Sequence, residues 1–112
     1  MTTIDQDQAD ERRVIGQLID DALAAGYLIS YYDDGDWPVR MSESKEAVMA
    51  ELHSTGQAQI RFSTSDHKHV GIVLLVFGNS PWEVIADYTD NGPMNGLLLG
   101  ANALADEIEA KA

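Results

Sequence analysis

There is no cysteine in the 112 residues, which excludes disulfides, thiolate metal ligands and cysteine nucleophiles. Basic residues are scarce: 7 lysines and arginines stand against 19 aspartates and glutamates, for a formal net charge of -12. Such a field repels nucleic acid and anionic membrane, and it attracts basic protein surfaces. Long apolar runs are missing too. The longest, Val70 to Phe77 interrupted by Gly71, falls far short of the roughly 20 residues that a spanning helix requires. A secretory leader needs a basic stretch followed by an apolar one, whereas MTTIDQDQADERR is polar and acidic, so a cytoplasmic location is expected.

What is present reads as a single domain over residues 1–112, of the α+β class. Thr3 to Gln6 fits a T-x-x-Q capping box, and Val14, Ile15, Leu18, Ile19, Ala22 and Leu23 recur at helical spacing before Gly26 stops the helix. From Asp5 to Arg13 the pattern is polar all round, so those turns are expected to stand clear of the core. YLISYY (27–32) and Trp37 to Met41 read as two strands around the turn Asp34-Gly35, with Pro38 placing the second at a sheet edge. A short helix follows from about Glu43 to His53, capped by Ser42 or Ser44. Strands at Ala58–Ser63, His69–Phe77 and Trp82–Tyr88 form a meander, and an apolar stripe from Met94 to Ile108 makes a last helix. The expected order is α-β-β-α-β-β-β-α, three helices with an antiparallel sheet of about five strands. Because Val70, Ile72, Leu74 and Val76 alternate with Val73, Leu75 and Phe77, both faces of the middle strand need cover, from helices on both sides or from self-association.

No arrangement of residues makes a catalytic or cofactor motif. GNSPW (78–82) lacks the second glycine of G-x-S-x-G, and Pro81 after Ser80 removes the N–H that an oxyanion hole needs. His67 and His69 are two ligands where zinc needs three or four, and DDGD lacks EF-hand spacing, so no metal and no cofactor are expected. Glu83, Asp87, Tyr88 and the histidines could line a small-ligand or enzymatic pocket only if folding gathered them, and this is the weakest of the readings. Gly96 and Gly100 inside the last helix each cost about 1 kcal/mol relative to alanine, which implies that something packs closely there.

Acidic residues, by contrast, sit where local energetics would not choose them. Asp33 and Asp36 oppose one another across the Asp34-Gly35 turn, at a cost of a few tenths up to about 1 kcal/mol. Asp20 and Asp21 close the first helix, and Asp106, Glu107 and Glu109 crowd the negative end of the last. These eight residues, with Tyr31, Tyr32 and Trp37 as aromatic anchors, are the candidate contact set of a non-enzymatic module that offers carboxylates to a basic groove. The tail PWEVIADYTDNGPMNGLLLGANALADEIEAKA, the last third of the chain, resembles that of small acidic uncharacterised proteins of bacteria and their phages. In size, acidity and lack of cysteine the chain also resembles phage-encoded nucleic-acid-mimicking inhibitors of the anti-restriction or anti-CRISPR type. That resemblance implies an activity class, inhibition of a nuclease or other nucleic-acid-handling protein, and transfers no site residue. The alternative from the residues themselves is a homodimer or larger homo-oligomer whose charge serves solubility.

Overall fold

A computed structural model describes residues 4–53 and 55–112. The capping box read at Thr3 lies outside the described residues. In helix α1 (Ile4–Ala24) the periodic residues Val14, Ile15, Leu18, Ile19 and Ala22 are all fully buried. The helix ends in a Schellman arrangement, in which Tyr27 N–H donates to the Ala22 carbonyl and Gly26 N–H to that of Leu23, both at 3.0 Å. Gly26 takes φ 83 there, a region that side-chain-bearing residues avoid. The polar early turns do not stand clear of the core. Asp10 and Glu11 are 7% and 2% exposed, since their polar atoms find partners inside: Asp10 takes Gln6 and Arg13, and Glu11 accepts from Gly78 N–H at 3.0 Å.

Strands β1 (Leu28–Asp33), β2 (Asp36–Ser42), β3 (Gly56–Ser63), β4 (His69–Phe77) and β5 (Ile85–Tyr88) form one antiparallel sheet, ordered β2-β1-β3-β4-β5. The hairpin and the meander expected from the pattern are both present, and β1 joins them by pairing with β3. Pro38 lies on β2, an edge strand, where its missing N–H removes no interior bond.

Four helices, not three, occur among the described residues: α1, α2 (Lys45–Met49), α3 (Gly92–Leu97) and α4 (Leu99–Ala110). Ser44 caps α2 through its Oγ, which accepts from Ala47 N–H at 3.2 Å. The final apolar stripe is divided at Leu98, which stands between two poor helix formers, Gly96 and Gly100. Trp82 belongs to a 3₁₀ turn (Pro81–Glu83) ahead of β5, because proline at its first position fixes φ and brings no donor to a ladder. No helix among the described residues is long and apolar enough to cross a membrane.

All the helices pack on the same side of the sheet. Ile29 and Tyr31 of β1, Ile60 and Phe62 of β3, and Val73, Leu75 and Phe77 of β4 share one core with Val48 of α2, Met94 of α3 and Ala101 and Ile108 of α4. The opposite face, with Tyr32, Gln59, Arg61, Ile72, Leu74 and Val76, is only half-buried and carries no helix. Of the two ways expected to cover β4, helices on both sides is therefore overturned, and its second face is left open by this chain.

Candidate functional site

The β1–β2 turn places its acids as the sequence indicated. Asp34 (φ 46) and Gly35 (φ 93) both take positive φ, the signature of the two-residue type I′ hairpin, and Asp33 pairs in register with Asp36. His53 Nε2 stands 2.8 Å from Asp33 Oδ2, without aligned hydrogen-bond geometry. Asp34 and Asp36 are exposed, and neither side chain makes a hydrogen bond or ion pair among the described residues.

Beside the turn, Tyr32 and Trp37 meet edge-on with ring centroids 4.9 Å apart. The Arg61 guanidinium lies over Trp37 at 4.7 Å and 5.9 Å from the Tyr32 centroid. The stack holds both aromatics against the open face. A hollow of about 380 Å³ begins there, lined by Tyr32, Asp34, Gln57, Gln59 and Leu74. Asp34 and the aromatic pair thus border the same surface.

Tyr31 does not belong to it. Successive strand residues face opposite ways, so Tyr31 points into the core, where it is fully buried and its hydroxyl has no hydrogen-bond partner among the described residues. Burial, with the nearby charges of Asp33 and Glu51, pushes its phenol well above the usual range. It is unavailable to a partner.

The three acidic groups are not gathered into one surface. Asp20 is paired with Lys45 at 2.9 Å, and Asp21 accepts from Gln17 at 3.0 Å while facing Gly100 of α4. Helix α4 runs antiparallel to α1, since its first turn meets Asp21 and its end lies beside Gln6, Asp7 and Asp10. Asp106, Glu107 and Glu109 are therefore at the other end of α1 from Asp20 and Asp21, and Lys111 holds Glu107 at 3.0 Å and keeps its carboxyl below the usual range. The hairpin turn shares that end but lies on the β2 edge of the sheet, whereas α4 packs over the Pro81–Glu83 turn on the far side. No known family model, curated protein or solved structure matches this chain. Of the candidate carboxylates, Asp34, Asp36, Asp106 and Glu109 are exposed with no side-chain partner among the described residues, and Asp34 shares its hollow with Tyr32.

One grouping was not legible beforehand. Arg40, Arg61, His67 and His69 line a second hollow of about 410 Å³ on the open face, with Trp37 and Met41. The alternation of Gln57, Gln59, Arg61 and Ser63 in β3 was the available sign that this face is polar. Arg40 reaches it only through the β1–β2 pairing, whose register shifts between Ile29, Tyr31 and Asp33 are invisible in a single strand. Among the described residues no three histidine or acidic side chains gather as metal ligands would.

Proposed function

We propose that the chain is a non-enzymatic, acidic protein-binding module that presents Asp34 and Asp36, with Tyr32 and Trp37 beside them, to a basic surface on a partner. One observation carries this reading: the exposed Asp34 at the hairpin tip borders an edge-on aromatic pair on a sheet face that no described helix covers, with the exposed Asp36 beside it at the edge, and neither side chain has a counterion among the described residues. Charge of one sign steers encounter with a basic surface, and an aromatic held rigidly loses little freedom on docking. The partner class it fits best is a nucleic-acid-handling protein, such as a nuclease, whose groove holds phosphates that these carboxylates can replace.

Asp20 is paired, Asp21 packs on α4, and Asp106 and Glu109 lie on the far side from the Tyr32–Trp37 pair, so the contact proposed is the hairpin end. The test is a pull-down from bacterial lysate at low and high salt, repeated with D34K/D36K. The expected result is a basic partner captured at low salt whose affinity falls more than tenfold in the variant, with the circular dichroism spectrum unchanged. Equal capture by the variant, or recovery of no basic protein, overturns the reading.

A further inference from the structure

The chain has few cations, and where each one goes can be followed. Arg13 pairs with Asp10, Lys45 with Asp20, Lys68 with Asp66 and Lys111 with Glu107, while Arg12 donates to the Met49 carbonyl at 2.8 Å. That leaves two of the seven, Arg40 and Arg61, with neither a carboxylate nor a carbonyl partner for the side chain among the described residues, in a chain with 19 acids. Both line the same hollow, together with His67 and His69. Arg61 is held in place by Trp37, and its Nε is buried with no hydrogen-bond partner among the described residues. A guanidinium kept from the surrounding acids and fixed on an aromatic is arranged to receive an anion from outside.

Polarity runs along the open face. At one end Asp34 stands without a counterion among the described residues, with Asp36 beside it at the edge; at the other are Arg40, Arg61 and the two histidines, level with Ile72; between them Tyr32, Gln59 and Leu74 lie side by side across β1, β3 and β4. Asp36 and Arg40 are four residues apart on β2, at most about 13 Å at the rise of a strand, since β2 carries a bulge between Asp36 and Val39. A face that is acidic at one end and basic at the other is complementary to itself once reversed. A two-fold axis lying across the strands, between two such faces, sets each acidic turn over the other copy's basic hollow.

We propose that the Arg40–Arg61–His67–His69 hollow is a carboxylate-binding site, and that its occupant is the Asp34–Asp36 turn of a second copy in a face-to-face symmetric dimer. Stacked sheets pack about 10 Å apart, so Leu74, Ile72 and Val76 of the two copies meet in the middle and gain the cover that the helices do not give them. The dimer goes beyond the partner-binding reading and hides the same turn, so dimer and partner complex exclude one another.

Sedimentation velocity over a concentration series tests this. The wild type is expected to dimerise, less so at high salt. D34K/D36K and R40E/H69E alter only exposed residues, and each is expected to weaken dimerisation more than tenfold. An equimolar mixture of the two restores it, because both junctions of the mixed pair again join opposite charges. R40E/H69E leaves the turn intact and retains any partner captured by the wild type, so failure of the dimer is separable from failure of the partner reading. A wild type that stays monomeric, variants that dimerise as it does, or a mixture that gains nothing each overturn the proposal. So does R40E-sensitive binding of inorganic phosphate by a chain that never dimerises, which would assign the hollow to a small anion.

Discussion

Glu11 is more deeply buried than its neighbour Asp10 in α1, and its position was read from sequence as part of an exposed polar turn. Burial raises its pKa first of all; the Gly78 N–H opposes that shift, and the charge of Asp7 adds to it. The sign of its effect on stability follows from linkage. Above the raised value both folded and unfolded chains carry the charge, and burying it opposes folding; as pH falls, the folded chain takes the proton first and the cost disappears, leaving no difference below the ordinary glutamate range. E11Q keeps an acceptor for Gly78 without the charge. In urea titrations it is expected to be the more stable protein at neutral pH, with the gap closing as pH falls through the raised value towards the ordinary range. A gap that widened on acidification would contradict the assignment. Tyr31 makes the same point from an aromatic: YLISYY gave no hint which tyrosine faces out, because that depends on which side of the sheet the helices cover.

At the scale of the element, the two glycines after Pro93 separate by their surroundings. A Cβ at Gly100 would stand 2.5 Å from Asp21 Oδ2, whereas one at Gly96 would meet nothing within 4 Å. Close packing thus explains Gly100 and leaves Gly96 without that reason. G96A is expected to raise the unfolding free energy by about 0.5–1 kcal/mol through helix propensity alone. G100A is expected to gain less, since Asp21 must turn away from Gln17, and D21A in the G100A background should recover part of the difference; urea midpoints decide both. The strands were far more legible than the helix ends. Burial alternates along β4, and the strand spans His69–Phe77 as the pattern indicates, whereas the break at Leu98 depends on a balance of propensities worth less than the packing around it.

Across the whole molecule, extents of 45 × 28 × 21 Å exceed the screening length of about 8–10 Å at ordinary ionic strength, so acids at opposite ends act separately. Asp20 and Asp21 therefore cannot reinforce the hairpin turn over that distance, whatever the total charge. The net charge of -12 still opposes compactness through the repulsion of nearer neighbours. Added salt is expected to have two opposite effects: a higher urea midpoint for the monomer, as repulsion is screened, and weaker dimerisation and partner capture, as attraction is screened. Parallel urea titrations and sedimentation runs at two salt concentrations read both. A midpoint that fell with salt would show that internal ion pairs outweigh the repulsion.

The sequence by itself determined the excess of acid, the hairpin around Asp34-Gly35, the opposition of Asp33 to Asp36 and the apolar patterns of α1 and β4, since each follows from composition or from neighbours a few residues apart. Tertiary structure alone decided which sheet face stays open, which carboxylates keep a counterion and that Arg40 and Arg61 converge without one. The physical reason is range. Hydrogen bonds within a turn and side-chain periodicity act along the chain, whereas burial and ion pairing are set by segments as remote as Asp20 and Lys45, which meet only once the core has closed.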